Sequence, residues 1–331
     1  MLKKDFVNEF VVGQSVLTPL AIYEKRLNQF TNKAGQPAYG LMLSVGDRSG
    51  RISAINWNAA QELHERIGLD QIWLVGGKVQ EYRGSLQLVI DQIIPAPATQ
   101  IDMADYLPQS AFDRAVLWSR LQSVIDSISS PHLRALLMGV FTASRRQNFC
   151  AAPGGRGVHH AYVGGLLEHT LEVLAYAETM ISEQGSYLNR DLLLTGCILH
   201  DIGKVEEYDL TSLSFQMTNR GKMIGHLQLG SELIGQVAAS MDGFPAELLL
   251  ELQHLVLSHH GVPEWGSPQQ PRTINAMALH LADLTSGRLA QFSRVIGEHR
   301  PENGQWSNYD KFLERNVFIP SNILEEMVEK Q

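Results

Sequence analysis

At 331 residues the chain is long for a single domain, so we expect two. A hydrophobic fraction of 44% and a charged fraction of 19% are typical of a folded protein and exclude a disordered one. We find no apolar run close to the roughly 20 residues that a membrane-spanning helix needs, and no signal segment at the start. Cys150 and Cys197 lie far apart in no metal-like spacing, which favours a reducing, cytoplasmic setting.

The net charge of −8 is unevenly distributed along the chain. Residues 1–100 hold 10 Lys and Arg residues against 9 Asp and Glu residues, whereas residues 101–331 hold 17 against 26. A near-neutral front part therefore precedes an acidic back part. Acidic catalytic domains often need cations, although many domains are acidic only for solubility.

Short strands are predicted from about residue 11 to residue 95. Apolar and polar residues alternate at 41–45 and again at 86–90, and this period of two buries one face of a strand. A helical stretch at 59–66 separates the third predicted strand from the fourth, at 72–82. Three strands, one helix and two strands is the order of an OB fold, so we predict an all-β OB-fold barrel at residues 1–97.

After a linker with several prolines at residues 98–111, the periodicity becomes helical. Apolar residues recur at spacings of three and four, which predicts an all-α bundle over residues 112–300. The predicted helices are 115–128, 131–148, 162–182, 190–200, 225–241, 245–260 and 273–292. We expect the tail, residues 301–331, to pack on a domain or on a neighbouring subunit.

Histidines and aspartates in the helical part form the most informative pattern. Eleven of the twelve histidines follow residue 130. The members of the pattern are His169, His200, Asp201, His226, His259, His260 and Asp283. Imidazoles and carboxylates are common ligands of Mn, Fe, Co, Ni and Zn, and a set without sulfur disfavours soft copper and iron–sulfur sites. A single buried histidine is usually a core residue, but the joint pattern is far more specific.

The adjacent pair of His200 and Asp201 matters most. Neighbouring helical residues point about 100° apart, so both reach one metal only near a helix end, and Gly203 suits a helix termination. The apolar run at 192–199 places Asp201 at the edge of a core, where a carboxylate is costly unless it is paired or metal-bound. Because a carboxylate has two oxygens, Asp201 can hold one metal ion with each.

Several segments carry a resemblance to known proteins. The motif HDIGK at residues 200–204 resembles the signature of HD-domain phosphohydrolases. The strings HHAYVGGLLEHT at 159–170, GHLQLG at 225–230 and LSHHG at 257–261 resemble one branch closely, the YhaM-type 3′→5′ exoribonucleases. That family also carries an OB domain in front. The resemblance covers about residues 10–315, and its motifs in the helical part are the specific ones, which implies that residues 112–300 form an HD phosphohydrolase domain.

The resemblance implies metal ligands in two groups. The first group is His169, His200, Asp201 and Asp283, and the second adds His226, His259 and His260. In this arrangement Asp201 bridges two divalent ions, and the resemblance favours manganese. Gly165 stands where some relatives carry a glutamate for a third metal, and the glycine-tyrosine-proline segment of cyclic-di-GMP phosphodiesterases is missing after His260. These two departures argue against a third metal ion and against a cyclic-di-GMP phosphodiesterase.

Other charged residues are candidates for catalysis and phosphate binding. Two ions at Asp201 would activate a water molecule for in-line attack on phosphorus. Lys204 either approaches a phosphate oxygen or caps a helix end. Arg272 and Arg288 flank the helix of the last ligand and either clamp phosphate or form surface ion pairs. His160 either protonates the leaving 3′ oxygen or packs at a helix entry.

Aromatic and basic residues are mixed in the OB part. Trp57, Tyr82 and Arg83 are our candidates for nucleic-acid contact, since bases stack on exposed rings while cations follow the phosphates. The other members of the set are Phe30, Tyr39, Trp73, Lys25, Arg26, Lys33, Arg48, Arg51 and Lys78. Most such aromatics belong to a barrel core, which is the alternative for each ring.

These features predict a metal-dependent 3′→5′ exonuclease that hydrolyses single-stranded RNA, with DNA as a second candidate, to nucleoside 5′-monophosphates. Polarity and products come from the resemblance alone. One alternative is an HD phosphodiesterase or nucleotidase for small nucleotides. Another is a nucleic-acid-binding regulator with a structural HD domain, although the filled ligand positions argue against it. We expect no membrane partner, and apolar residues in the tail leave a homo-oligomer open.

Overall fold

The computed structural model describes residues 5–31, 35–82, 84–97, 101, 105–107, 110, 112–155, 160, 162–210, 215–299 and 304–329. The chain forms two compact units. The first, which we call the barrel unit, comprises Met1–Gln109 and Thr211–Gln216. The second, the helical unit, comprises Ser110–Leu210 and Met217–Gln331.

Five described strands close into a barrel in the first unit. They are β1 (Ser15–Thr31), β2 (Pro37–Asp47), β3 (Gly50–Asn56), β4 (Gln71–Tyr82) and β5 (Ser85–Pro95). Their order around the barrel is β1-β2-β3-β5-β4, and β4 pairs with β1 to close it. The pair of β3 and β5 is parallel and the other pairs are antiparallel. With helix α1 (Ala60–Arg66) between β3 and β4, this is OB-fold topology, and the predicted barrel is confirmed.

Alternating apolar residues fill the barrel, as the period of two predicted. Leu41, Leu43 and Val45 of β2 are buried in its core. Strand β1 is long because its first half pairs with β4 and its second half with β2. An irregularity between Ile22 and Glu24 marks the change of partner, and such bulges bend a strand so that it can turn a barrel corner.

Helices dominate the helical unit, as predicted. They are α2 (Arg114–Asp126), α3 (Pro131–Val140), α4 (Ala143–Ala151), α5 (Gly165–Gln184), α6 (Arg190–Leu199), α7 (Lys204–Glu207), α8 (Asn219–Ile224), α9 (His226–Ala239), α10 (Ala246–Ser258), α11 (Ile274–Glu298) and α12 (Ser321–Glu329). Residues 192–199 of α6 are all buried, and their apolar side chains belong to the shared core. Among the described residues, we find no helix that combines the length and the apolar character needed to span a membrane.

Two helix boundaries differ from the prediction. The helix expected at 131–148 is divided, because Thr142 accepts a hydrogen bond from the Arg145 amide at 3.3 Å and starts α4. The helix expected from residue 162 begins only at Gly165, after Gly164 with a φ of 88°. Glycine tolerates this left-handed backbone, which separates the preceding loop from the helix. Because the apolar spacing continues through both positions, it did not predict either boundary.

Residues 313–324 of the C-terminal segment pack on the C-terminal part of α11. A buried cluster joins Val295 of α11 to Leu313, Val317 and Ile319. A β-bridge between Asp310 and Arg315 closes a turn in this segment. The predicted helical domain ended at residue 300, so the structure adds an ordered turn beyond that boundary.

Candidate metal centre

Side chains of ligand type converge at one place in the helical unit. They are His169 on α5, His200 and Asp201 after α6, His226 at the start of α9, His259 and His260 after α10, and Asp283 on α11. Helix α5 packs against both α6 and α11. This packing brings together residues that lie more than a hundred positions apart in the chain.

The first group surrounds one oxygen of each aspartate. The Nε2 atom of His169 lies 3.0 Å from Asp283 Oδ1 and 3.2 Å from His200 Nε2. His200 Nε2 in turn lies 3.2 Å from Asp201 Oδ2. Groups of ligand atoms this close can share one ion.

The second group faces the other oxygen of Asp201. Asp201 Oδ1 lies 3.5 Å from His226 Nε2 and 3.7 Å from His259 Nε2. His260 completes the group, with its Nε2 atom 3.4 Å from His226 Nε2. Asp201 therefore stands between the two groups, with one oxygen turned toward each.

An acceptor engages the Nδ1 atom of each histidine in the cluster. The acceptors are the carbonyls of Cys197 for His200 (2.8 Å), Val256 for His259 (2.8 Å) and Trp265 for His260 (3.0 Å), the carboxylate of Glu207 for His226 (3.0 Å), and the hydroxyl of Ser286 for His169 (3.0 Å). Ser286 donates its own proton to Glu172 at 2.7 Å, so it accepts from His169. Each neutral imidazole therefore carries its proton on Nδ1 and presents a bare Nε2 atom to the centre.

The arrangement fits divalent metal ions. Bare Nε2 atoms of His169 and His200 face each other, as do those of His226 and His260, and lone pairs at such distances repel unless a positive charge lies between them. Asp201 Oδ1 is buried and accepts no hydrogen bond from the part of the chain that the structure describes. A buried acceptor of this kind needs another partner. A set of imidazoles and carboxylates suits Mn, Fe, Co, Ni or Zn.

Charges around Asp201 hold its carboxyl ionised. Burial alone would raise the pKa of Asp201, but the attraction of the Lys204 ammonium group outweighs burial and holds that pKa well below its ordinary value. Lys204 Nζ donates to Asp201 Oδ2 at 2.6 Å and also to the Gly154 carbonyl. Asp201 is therefore available as an anionic ligand.

Gly203 has a role other than the one predicted. Its φ of −64° is right-handed helical, not the left-handed conformation of a helix-ending glycine. A Cβ atom here would collide with the His226 carbonyl oxygen and lie 2.7 Å from the Gly230 nitrogen. The missing side chain lets the first turn of α9 approach the turn that holds His200 and Asp201.

His160 lies in a network behind His169. Its Nδ1 atom is 2.8 Å from the Tyr162 hydroxyl, and its Nε2 atom is 3.2 Å from Glu172 Oε2. Glu172 also accepts from Ser286, the residue that engages His169. Both ring nitrogens of His160 thus face residues of this network. The proton donation predicted for His160 stays a prediction.

The remaining predicted phosphate contacts lie at different places. A cavity of about 640 Å³ opens onto the cluster and is lined by Lys204 and Arg288 among others. Arg288 is exposed and donates to the Phe312 carbonyl at 3.4 Å. Arg272 is exposed too, but it is not among the residues that line the cavity. The structure therefore brings Arg288, and not Arg272, to the predicted centre.

In the barrel unit, Trp57 and Tyr82 are each 51% exposed, so neither ring is part of the barrel core. The ring of Phe30 packs edge-on against Trp57 at 5.1 Å between centroids. Arg83 lies outside the described residues. Lys25 donates to the carbonyls of His64 and Ile67 at 2.7 Å each, which makes it a structural contact within the barrel unit.

Three residues that support the ligands were missed by the sequence analysis. Glu172 lies three residues after His169 on the same helix face, a spacing that was readable in the sequence. Glu207 accepts from both the backbone and the ring of His226. Ser286 is 117 residues away from its partner His169. No local sequence pattern predicts the contact of Glu207 with His226 or that of Ser286 with His169.

Comparisons with known proteins agree with this picture. A model of the HD domain family matches residues 166–287, which contain the whole cluster. The chain is 32% identical over 302 residues to the 3′-5′ exoribonuclease YhaM of Oceanobacillus iheyensis, which covers 91% of this chain and 93% of that protein.

Solved structures resemble the first part of the chain. The second OB-fold domain of replication protein A from Methanococcus maripaludis is 19% identical, with a TM-score of 0.26, and covers 31% of this chain and 100% of that one. An OB domain from Thermoplasma acidophilum is 12% identical, with a TM-score of 0.25, and covers 29% of this chain and 88% of that one. From the full-length similarity and the HD domain match, the chain belongs to the family of YhaM 3′-5′ exoribonucleases.

Proposed function

We propose that this protein is a metal-dependent 3′→5′ exonuclease that hydrolyses single-stranded RNA to nucleoside 5′-monophosphates. The observation that carries the proposal is Asp201, whose two oxygens face two separate groups of bare imidazole nitrogens. The name of the relative from Oceanobacillus iheyensis supports the polarity and the RNA substrate. DNA is a second candidate substrate.

The proposed ligands form two sites that share Asp201. The first site is His169, His200, Asp201 and Asp283, and the second is Asp201, His226, His259 and His260. Two bound divalent ions, of which we favour manganese, would supply Lewis acidity and an activated water molecule. The Nδ1 hydrogen bonds of the five histidines fix the direction of the ligand atoms before any ion binds.

Other residues position the substrate and the ligands. Lys204 lines the cavity beside Asp201, and its ammonium group both holds that carboxylate and offers a positive charge to a phosphate oxygen. Arg288 lines the same cavity from α11. We assign His160 a positioning role through Glu172 and Ser286, because these contacts lead to His169.

The proposed activity can be tested with a 5′-labelled oligoribonucleotide, Mn²⁺ and purified protein. We expect a ladder that shortens from the 3′ end, with nucleoside 5′-monophosphates as the product found by chromatography. Asp201→Ala should abolish both metal uptake and shortening, whereas Asp242→Ala, an exposed acid of the same unit, should change neither. An intact oligonucleotide beside rapid cleavage of small nucleotides would instead favour a nucleotidase.

Exposed rings of the barrel unit are proposed to hold single-stranded nucleic acid. Trp57→Ala should weaken oligoribonucleotide binding by about 5-fold or more, since a stacked base contributes roughly 1–3 kcal/mol. Cleavage of a small phosphodiester such as bis(p-nitrophenyl) phosphate should stay at its original rate. Equal losses on both substrates would contradict a separate binding role for this ring.

A further inference from the structure

A turn of the C-terminal segment contributes to the cavity of the metal centre. The cavity is lined on one side by the ligand cluster and elsewhere by Trp265, Arg288, Phe312 and Arg315. Its volume of about 640 Å³ falls within the roughly 300–1,000 Å³ that is usual for small-molecule sites. Arg288 and the turn at 310–315 lie beyond residue 287, where the match to the HD domain ends.

The turn at 310–315 is held in place by its own contacts. Asp310 Oδ1 accepts from the amides of Phe312 at 2.9 Å and Leu313 at 2.8 Å. Its other oxygen pairs with Arg294 of α11 at 2.6 Å. The backbones of Asp310 and Arg315 exchange two hydrogen bonds, at 3.0 and 3.3 Å. The turn is thus built before substrate binds, which lowers the ordering cost of a complex.

Two of the aromatic rings at this cavity are exposed. Trp265 is 49% exposed and Phe312 is 40% exposed, although both line a concave site. Arg288 connects them, because its guanidinium lies 5.7 Å from the Trp265 ring centroid and donates to the Phe312 carbonyl. Exposed rings beside cations are the combination that binds a base and its phosphate.

Trp265 is also tied directly to the metal centre. Its carbonyl accepts from His260 Nδ1 at 3.0 Å, so its main chain cannot move away without turning a ligand. The ring therefore stays close to the group that faces Asp201 Oδ1. Trp265 and the ligand cluster also line the same cavity.

From these contacts, and resting on the proposed exonuclease function, we infer that Trp265 is the stacking platform for the base of the 3′-terminal nucleotide. Phe312 adds a second apolar surface. Arg288 and Arg315 supply positive charge for the phosphates of that nucleotide and its neighbour. Stacking is tolerant of base identity, so the site accepts each of the four bases, as an enzyme that degrades RNA from its end requires.

The test combines a protein change with a substrate change. Two oligoribonucleotides are compared, one with an ordinary 3′-terminal adenosine and one with an abasic 3′-terminal residue. For the unaltered protein, kcat/KM should be about tenfold or more higher for the ordinary terminus. In Trp265→Ala the ratio of the two values should fall by about 5-fold or more, whereas Trp265→Phe, which retains a ring, should keep most of it.

Trp306→Ala is the matched control, since Trp306 is a 60% exposed tryptophan that does not line the cavity. It should keep the full ratio. General damage to the fold lowers kcat/KM for both substrates and leaves the ratio unchanged, so the ratio separates stacking from misfolding. An unchanged ratio in Trp265→Ala would overturn the inference. Failure of the unaltered protein to shorten either oligonucleotide would instead contradict the proposed function.

Discussion

Gly203→Ala tests how closely the turn after α6 must approach α9. The added Cβ would lie 2.7 Å from the Gly230 nitrogen and still closer to the His226 carbonyl oxygen, and both are backbone atoms that no rotamer change can move. An ordinary contact is 3.4 Å or more, so α9 must shift by at least about 0.7 Å. Metal–ligand distances tolerate about ±0.2 Å, so this shift withdraws His226 from its site.

We expect Gly203→Ala to lose about 1–3 kcal/mol of unfolding free energy through overpacking, and to bind fewer metal ions per chain than the original protein. Metal content by mass spectrometry and chemical denaturation with chelator measure the two effects. Gly235→Ala, a change within α9, is the control, because its added Cβ meets only the end of the Gln253 side chain, at 3.3 Å. A Gly203→Ala protein with unaltered metal content and stability would refute the close-approach argument.

Two further changes probe single contacts. In Glu172→Gln the new amide can donate to Ser286, which disfavours the His169 tautomer with a bare Nε2. We therefore expect the affinity for metal to fall about 10- to 100-fold, measured by competition with a fluorescent chelator. Glu178→Gln, a change of an exposed residue on the same helix, should leave metal affinity unaltered. Burial and Arg272 lower the pKa of His254, which accepts from the Arg272 amide at 2.9 Å. The unfolded chain therefore protonates His254 at a higher pH than the folded one, and stability is lost as pH falls below about 6.5. His254→Gln should flatten that loss in urea titrations, and a slope equal to that of the original protein would argue against this reasoning.

The predicted fold classes followed from local patterns. Alternation at 41–45 and the buried run at 192–199 are short-range signals, and the structure has a strand and a helix at these places. The break at Thr142 was not predicted, because the apolar spacing continues past this residue while its hydroxyl caps the start of a new helix. The turn at 310–315 escaped because its contacts with Arg294 join residues in different elements.

The predicted ligand residues lie together in the structure, whereas the residues that support them were not predicted. A carboxylate such as Asp201 at the end of a buried helix is costly unless it is paired or metal-bound, so its position alone indicated one of these two environments. The residues that accept hydrogen bonds from the imidazole Nδ1 atoms could not be predicted in the same way. Any carbonyl, hydroxyl or carboxylate can accept from Nδ1, and packing over long separations decides whether Ser286 or Glu207 does so.

The metal centre and the apolar core depend on each other through Asp201. Burial of residues 192–199 fixes the end of α6 and therefore the place of this carboxylate. Lys204 balances one of its oxygens, while the other has no hydrogen-bond donor among the described residues. Bare imidazole nitrogens held against each other add a second unfavourable interaction, which a cation would relieve. An ion present at 100 times its dissociation constant stabilises a folded protein by about 2.7 kcal/mol. Burial of the apolar core holds these groups together even when no ion is bound. Their mutual repulsion lowers the stability of the metal-free protein, and the relief of that repulsion by a bound ion would add to the affinity for metal.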